Sequence, residues 1–220
     1  MVYKNSQQFV SIHVDSVTLE GDLAIPEGAQ TVVVFAHGSG SSRHSSRNKF
    51  VAQVLRESGI GTLLFDLLTR QEDTVYENRF DINLLTSRLK AVTCWLKDQP
   101  QTRELNTGYF GASTGAAAAI RAAADLGTAI GAIVSRGGRP DMAEEALEKV
   151  QAPTLLIVGG YDDIVIQLNQ QAYDLLKAKK ELKIIPCATH LFEEPGALEE
   201  VARLAAQWFK HHLLPQPDKE

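Results

Sequence analysis

Three side chains that together suit nucleophilic catalysis occur along the chain in the order Ser113, Asp162 and His190. A serine hydroxyl is a weak nucleophile that needs a base to accept its proton, and histidine is the usual base. A carboxylate then orients the imidazole and stabilises its protonated form. The set predicts acyl transfer through an acylated serine, provided that the fold brings the three side chains together.

The serine lies in a motif with glycine two residues before and two residues after it, Gly111-Ala112-Ser113-Thr114-Gly115. The motif follows the apolar run 107–110 and precedes the four alanines 116–119, so it joins a predicted strand to a predicted helix. A serine on such a tight turn brings its flanking residues into close contact, which explains the glycines. The pattern also occurs by chance in unrelated chains, but the strand before it and the helix after it favour a nucleophile elbow.

Asp162 follows a buried strand through two glycines, in the segment 158–163, and a second acid, Asp163, comes directly after it. Asp163 competes for the role of orienting carboxylate, but an acid in this position also serves as a helix N-cap. His190 lies just after the last predicted strand, where a side chain can reach over the carboxyl edge of a sheet. The other histidines lie on the predicted hairpin, on the terminal helix and on the loop after the third strand. We therefore expect Asp162 and His190 to complete a catalytic triad with Ser113.

An oxyanion formed on the substrate needs hydrogen-bond donors. The backbone N–H of Thr114 directly follows the nucleophile, and the loop 37–42, His-Gly-Ser-Gly-Ser-Ser, follows the third strand. Its glycines let the backbone turn its amides inward, and we assign the second donor to Ser39. A phosphate-binding loop is the alternative for a segment rich in glycine and serine, but the spacing G-x-x-x-x-G-K-[ST] is absent.

Short apolar runs alternate with helical patterns along most of the chain, which predicts a mostly parallel sheet with helices on both faces. Before them, two alternating segments separated by Asp15-Ser16 predict an antiparallel hairpin. We predict eight strands, over 8–14, 17–25, 31–36, 61–65, 106–110, 131–134, 154–158 and 182–185. We predict six helices, over 46–58, 81–97, 114–126, 142–150, 164–177 and 197–211.

These motifs together resemble the α/β-hydrolase superfamily, and within it the dienelactone-hydrolase-like branch. The resemblance runs over about 8–212 and depends on His37-Gly38-Ser39-Gly40, the elbow at Ser113, the turn 159–162 and His190. It implies an eight-stranded sheet, a Ser-Asp-His triad and ester hydrolysis without a cofactor. Dienelactone hydrolase proper has cysteine at the elbow, whereas this chain has Ser113, so the resemblance does not specify the substrate.

Two arginines lie on loops at the predicted carboxyl ends of strands, where ligands bind in open α/β sheets. Arg43 follows the oxyanion loop and Arg136 follows the sixth strand. A guanidinium binds carboxylate or phosphate through two parallel hydrogen bonds, so we interpret both as candidate substrate-binding residues; a solvated loop surface is the alternative. Only 135–140 separate the sixth strand from the next helix, so we expect no lid domain. No His, Cys and Asp cluster has zinc spacing, and we expect neither a metal nor a cofactor.

The 220 residues have the composition of a globular domain, with 44% hydrophobic and 22% charged residues. We expect a single α/β-hydrolase domain over 1–220, with a core over about 8–212 and a frayed tail over 213–220. The net charge of −5 disfavours nucleic acid as a partner, since phosphate binding needs a basic face. Two cysteines, with no evident signal peptide and no long apolar run, predict a cytoplasmic protein that does not bind membranes.

The predicted function is hydrolysis of small carboxylic esters or thioesters, with a small molecule as the partner. Two other functions are compatible with the same residues, because a fold does not by itself determine a function. A ligand receptor that keeps the fold and the triad would bind without turnover. An acyltransferase would use an alcohol or an amine in place of water. The acyl group, the leaving group and the oligomeric state are not specified by the sequence.

Overall fold

Eight strands form one sheet in the computed structural model, which describes residues 7–214. The strands are β1 (Gln7–Val14), β2 (Val17–Ala24), β3 (Thr31–Ala36), β4 (Gly61–Phe65), β5 (Asn106–Ala112), β6 (Ile130–Arg136), β7 (Thr154–Gly159) and β8 (Lys180–Ile185). Their order across the sheet is β1-β2-β4-β3-β5-β6-β7-β8. β2 pairs antiparallel with both β1 and β4, and all other neighbouring strands are parallel.

Helices cover both faces of this sheet. They are α1 (Ser46–Glu57), α2 (Ile82–Asp98), α3 (Thr114–Leu126), α4 (Glu144–Leu147), α5 (Asp163–Leu175) and α6 (Ala197–Leu213). α1 and α6 pack on one face through residues such as Val51 and Val201. α2, α3 and α5 contribute Leu89, Ala117 and Ala172 to the core on the other face. Parallel strands require this double coverage, because both of their faces are apolar.

β3 shows how the sequence produces the two-sided core, since all six of its residues are buried. Successive side chains along a strand point to opposite faces of the sheet. Val32 and Val34 therefore pack in the core with α2 and α3, while Val33 and Phe35 pack in the core with α1 and α6.

The structure confirms the predicted eight-stranded sheet with its antiparallel N-terminal hairpin, and it moves several boundaries. β5 and β6 run through Ala112 and Arg136, because these two residues still pair in the parallel ladder. α6 continues through Leu213, which is buried, so this residue belongs to the core and not to a frayed tail. Residues 215–220 of the predicted tail lie outside the described residues.

The predicted helix over 142–150 is wrong. The segment forms a 3₁₀-helix over Pro140–Ala143 followed by the single turn of α4. Ala143, with φ −132° and ψ 24°, interrupts the helical backbone between the two pieces. The apolar spacing that suggested a longer helix reflects the burial of Ala146 and Leu147 within one turn.

The segment after β4 forms two short 3₁₀-helices within 72–80, which the sequence pattern did not predict. Glu72 accepts a 2.7 Å hydrogen bond from Arg88 of α2. Asp73 accepts two hydrogen bonds from Arg79, at 2.9 and 3.0 Å. The first ion pair fixes the segment against α2, and the second joins its two 3₁₀-helices to each other.

The carboxyl ends of the parallel strands meet at one edge of the sheet, and the loops at this edge hold the candidate catalytic residues. Ser113 follows β5, Asp162 follows β7 and His190 follows β8. Residues 137–139 alone separate β6 from the next 3₁₀-helix, so no lid domain is inserted there. Within residues 7–214, no helix has the length and apolar character needed to span a bilayer.

Candidate active site

Ser113 occupies the sharp turn between β5 and α3. Its backbone has φ 51° and ψ −122°, a conformation that residues with a Cβ rarely adopt. The glycines around it are steric requirements. A Cβ on Gly111 would lie 2.4 Å from the Cα of Ala116, and a Cβ on Gly115 would lie 2.2 Å from the carbonyl oxygen of Ala36. The elbow therefore forms only when both positions lack a side chain.

His190 and Asp162 are joined by a short hydrogen bond, with 2.6 Å between Nδ1 and Oδ2. Because a carboxylate accepts, Nδ1 carries the proton and Nε2 is left as the free base. The Asp162 side chain is 17% exposed and the His190 side chain 40% exposed, so the acid is shielded while the imidazole reaches solvent. The competing acid, Asp163, is exposed and begins α5. Of the two neighbouring acids, the structure pairs Asp162 with the histidine.

The loops that carry Asp162 and His190 are fastened to each other through their backbones. The N–H of Tyr161 donates to the carbonyl oxygen of Ala188 over 2.9 Å. A Cβ on Gly159 would lie 2.5 Å from the same oxygen, so glycine is needed where the two loops cross. The absence of a side chain at Gly159 thus allows Asp162 to reach His190.

The end of β6 connects Ser113 to His190. The N–H of Ser113 donates to the carbonyl oxygen of Arg136 over 3.2 Å. The next residue, Gly137, has φ 51°, and a Cβ on it would lie 3.3 Å from Cε1 of the imidazole. His190 therefore packs on the backbone of Gly137, and the preceding residue, Arg136, binds the backbone of Ser113. Ser113, Asp162 and His190 lie on loops at the same edge of the sheet.

The loop after β3 passes beside the elbow. A Cβ on Gly38 would lie 3.1 Å from the Cβ of Ser113. The N–H of Ser39 donates a 2.9 Å hydrogen bond to Oγ1 of Thr114. Thr114 is the first residue of α3, so its own N–H has no acceptor within the helix. The two amides assigned to the oxyanion thus lie on adjoining segments, and the Thr114 hydroxyl accepts the hydrogen bond from one of them.

His37 is a residue of this site that sequence reasoning missed. Its buried ring accepts a 3.1 Å hydrogen bond from the N–H of Leu67 at Nε2, and Nδ1 donates to the carbonyl oxygen of Gly38 over 3.0 Å. The bond that Nε2 accepts requires the neutral ring, and burial lowers the pKa of His37. The ring ties the oxyanion loop to the segment after β4. The sequence shows that His37 directly precedes Gly38, but it does not show the contact with Leu67.

Arg43, predicted as a substrate-binding residue, is instead surrounded by carboxylates. Its guanidinium forms ion pairs with Glu20 at 2.7 Å, with Asp22 at 3.7 Å, and with Asp66. Its backbone N–H also donates to Asp66 over 2.7 Å. These contacts join β2 to the residue after β4, so we interpret Arg43 as structural and leave it out of the proposed site. Arg136, the other candidate, keeps 8% of its surface exposed at the end of β6.

A cavity of about 10 Å³ adjoins the candidate oxyanion donors. Leu67, Leu68 and Leu85 contribute apolar atoms to its lining, and Ser39, Thr114, Asp73 and Arg79 also line it. It has room for about one water molecule, far less than the roughly 300–1,000 Å³ of pockets that hold drug-sized ligands. Within residues 7–214, no group of three or more His, Cys, Asp or Glu side chains is arranged to hold a metal ion.

Comparisons with known proteins agree with this architecture. The sequence model of the dienelactone hydrolase family matches residues 19–213. The crystal structure of dienelactone hydrolase from Anabaena variabilis is 54% identical in sequence and has a TM-score of 0.94, covering 96% of this chain and 100% of that chain. Est1E from Butyrivibrio proteoclasticus is 17% identical with a TM-score of 0.80, covering 92% of this chain and 98% of that chain, a likeness of fold alone.

Two relatives from Mycobacterium tuberculosis, of strains CDC 1551 and H37Rv, carry the provisional name phosphoribosyl transferase. Each is 57% identical over 204 residues, which are 93% of this chain and 46% of the relative. The chain therefore spans about half the length of these curated relatives. The family match covers most of the chain, and a dienelactone hydrolase structure shares more than half of its residues. The chain belongs to the dienelactone hydrolase family.

Proposed function

We propose that the protein is a serine hydrolase that cleaves small carboxylic esters or thioesters through an acyl-enzyme. The backbone of Ser113, held at φ 51° between β5 and α3, is the observation that carries the proposal. Strain of this kind in a residue with a Cβ is typical of functional sites. The 2.6 Å hydrogen bond between His190 and Asp162 at the same sheet edge supports the same function.

In the proposed reaction, Oγ of Ser113 attacks the carbonyl carbon while Nε2 of His190 accepts the hydroxyl proton. Nδ1–H stays bonded to Asp162, whose charge stabilises the imidazolium. When the tetrahedral intermediate collapses, the bond to the leaving alkoxide or thiolate breaks and His190 protonates that group. A water molecule then attacks the acyl-enzyme with His190 again as base, which releases the carboxylic acid and restores Ser113.

The N–H groups of Thr114 and Ser39 are the proposed oxyanion donors. Preorganised donors of this kind contribute about 10²–10³ each to kcat. The Ser39 amide, which donates to the Thr114 hydroxyl in this structure, is expected to move to the oxyanion in the transition state. A charged oxygen is a stronger acceptor than a neutral hydroxyl, which favours this exchange.

The cavity beside these donors does not hold an acyl chain, because its volume of about 10 Å³ has room for about one water molecule. The transferase name of the Mycobacterium tuberculosis relatives is not part of this proposal, because the chain covers 46% of those proteins.

A fluorophosphonate probe tests the nucleophile. It should label the wild-type protein once, and Ser113→Ala should lose both the labelling and the turnover of p-nitrophenyl esters, apart from a modest residual rate. Ser87→Ala, at an exposed position of α2, is the matched control and should behave as wild type. Labelling that persists in Ser113→Ala would show that another residue is the nucleophile.

Turnover across p-nitrophenyl esters from acetyl to dodecanoyl, and across the corresponding thioesters, tests the reaction. Hydrolysis predicts steady release that is independent of added alcohol. Binding without turnover would indicate a receptor, and acceleration by an added alcohol would indicate an acyltransferase. Either result would contradict the proposed hydrolysis.

A further inference from the structure

Asn169 is a polar side chain in the interior of the protein. It is fully buried in the middle of α5, the helix that begins directly after Asp162. Asparagine is a poor helix former, and a buried amide costs free energy unless its donors and acceptors are paired. Within residues 7–214, Oδ1 of Asn169 has no hydrogen-bond partner. Packing alone would favour an apolar residue here, so the amide needs another explanation.

The amide nitrogen of Asn169 joins α5 to the loop after β6. Nδ2 donates to the carbonyl oxygen of Val165, one turn earlier in the helix, over 2.8 Å. It also donates over 3.0 Å to the carbonyl oxygen of Gly138, 31 residues earlier in the chain. These two carbonyl oxygens determine which end of the amide carries the nitrogen, because an oxygen in its place could donate to neither. Both N–H groups of the amide are thus used.

The β6 loop, residues 137–139, contacts the proposed nucleophile at one end and the proposed base at the other. The N–H of Arg139 donates to the carbonyl oxygen of Ser113 over 3.1 Å. At the other end of the loop, a Cβ on Gly137 would lie 3.3 Å from Cε1 of His190. The central glycine lies between these two contacts. A shift of its carbonyl group would therefore move the supports of Ser113 and His190 together.

The centre of the β6 loop needs a contact that holds its backbone. A Cβ on Gly138 would lie 2.0 Å from Oγ of Ser135 and 2.8 Å from Cβ of Ala116, so this position must be glycine. The preceding residue is also glycine, and two successive glycines have few intrinsic limits on their backbone angles. Such a backbone keeps one geometry only when other groups bind it. The amide of Asn169 is such a group, because it binds the Gly138 carbonyl.

We propose that Asn169 is a positioning residue for the proposed hydrolysis. By binding Gly138 it fixes the β6 loop, and the loop in turn fixes Ser113 relative to His190. This inference rests on the proposed function and adds to it a residue that does not touch the substrate. Asp162 is the N-cap of α5, so the same helix carries the acid that binds His190 and the amide that holds the loop beside it. A displacement of about 1 Å between reacting groups costs up to about 10² in rate.

Two substitutions of Asn169 separate its bond to the loop from its bond within the helix. Asn169→Leu removes both bonds with little change in volume. Asn169→Ser keeps a donor for the carbonyl oxygen four residues earlier, as serine hydroxyls in helices do, but it is too short to reach Gly138. We expect both variants to lower kcat for p-nitrophenyl acetate about ten- to hundredfold. The rate is expressed per active site, counted by the fluorophosphonate bound at completion.

Either variant can overturn the proposal. Wild-type kcat in folded Asn169→Leu would show that neither bond matters for the reaction. Wild-type kcat in Asn169→Ser would show that the bond to the loop does not matter, and this variant decides the question if Asn169→Leu does not fold.

Gln170→Leu is the matched control. Gln170 is the next residue of α5 and is exposed, and its side-chain amide donates to Asp174, four residues later, over 3.2 Å. The substitution removes an amide and a hydrogen bond within the same helix, without changing the bond to the β6 loop. It should keep wild-type kcat. A loss of rate in Gln170→Leu equal to that in Asn169→Leu would show that the rate responds to α5 as a whole, which would overturn the proposal.

The proton on Nδ1 of His190 reports the position of the imidazole without turnover. It lies in the 2.6 Å bond to Asp162, and the NMR shift of such a proton depends on the length of the bond. In ¹⁵N-histidine-labelled protein, Asn169→Leu and Asn169→Ser should displace this resonance, and Gln170→Leu should not. If the wild-type protein hydrolysed no ester but the resonance moved, the proposed function would fail and the positioning of His190 would stand. An unmoved resonance in both folded Asn169 variants would overturn the positioning role.

Discussion

The backbone N–H of Ser39 donates a 2.9 Å hydrogen bond to Oγ1 of Thr114, 75 residues farther along the chain. The bond joins the loop after β3 to the first turn of α3. The same two residues carry the amides assigned to the oxyanion. The threonine hydroxyl therefore sets the spacing between the two donors before substrate binds.

Replacement of this hydroxyl tests its positioning role. Thr114→Val keeps the shape of the side chain but removes the acceptor, so the loop that holds the Ser39 amide is less restrained. We expect kcat for p-nitrophenyl acetate to fall about tenfold and the free energy of unfolding to fall by about 1 kcal/mol, the usual value of one hydrogen bond.

Thr114→Ser, which restores the hydroxyl, should recover most of kcat. If only the threonine methyl mattered, Thr114→Ser would not recover kcat, because serine lacks that methyl. Wild-type kcat in Thr114→Val would show that the hydroxyl does not position the oxyanion loop.

Local sequence patterns were sufficient to predict most of the fold. The inner strands of the parallel sheet, such as Thr31–Ala36, are mostly apolar runs, because they are buried on both faces. The elbow at Ser113 was also predictable, since the glycines at 111 and 115 are required by backbone contacts within two or three neighbouring elements. These patterns depend on contacts between adjacent strands and helices, which the fold itself requires.

Features that depend on distant partners could not be predicted. Arg43 resembles a ligand-binding arginine until Glu20, Asp22 and Asp66 are placed around it by β2 and β4. His37 was set aside as a loop histidine, although its ring accepts a hydrogen bond from a residue after the neighbouring strand. In each case the side chain is of a type used in both catalysis and structure, and only the tertiary contacts decide between them.

The pairing of Asp162 with His190 predicts a large kinetic effect of a small substitution. Asp162→Asn replaces an acceptor with a group that can donate, which favours the tautomer with the proton on Nε2, where the base is needed. We expect kcat to fall by roughly two to four powers of ten with little change in the far-UV circular dichroism spectrum.

Asp163→Asn is the matched control for this substitution, because the neighbouring acid is exposed at the start of α5. It should reduce kcat less than about twofold and weaken stability by at most about 1 kcal/mol through loss of a charge near the helix N-terminus. An interchange of the two phenotypes would assign the orienting carboxylate to Asp163.

Gly115→Ala should destabilise the whole elbow. The added Cβ would lie 2.2 Å from the carbonyl oxygen of Ala36 and 2.4 Å from that of His37, and both are backbone atoms that cannot rotate away. β3 and α3 would have to separate, so we expect the free energy of unfolding to fall by about 3 kcal/mol or more in denaturant titrations. Gly28→Ala, at φ 74° with no atom within 4 Å of its Cβ, is the control for backbone strain alone, and it should cost about 1–2 kcal/mol. Equal losses in the two variants would contradict the close approach of β3 and α3.

Acid should destabilise the protein through two histidines, the half-buried His212 and the buried His37. Burial lowers the pKa of His212 to about 4 from its ordinary value of 6.5, assisted by the charges of Lys179 and His211, and burial also lowers the pKa of His37. Between pH 6.5 and about 4, the unfolded chain binds more protons at His212 than the native protein does. The contribution of His212 is therefore complete above pH 6.5 and is lost as the pH falls through this window.

Denaturant titrations between about pH 7 and pH 5 measure this loss, because carboxylates with lowered pKa values, such as Glu72, titrate below this range. We expect the free energy of unfolding to decrease steadily over the range in the wild-type protein. His212→Gln should make this decrease shallower, since the substituted side chain does not titrate. His13→Gln, at an exposed position of β1, should leave the slope unchanged. A wild-type slope in His212→Gln would show that the ring of His212 is not held neutral by the fold.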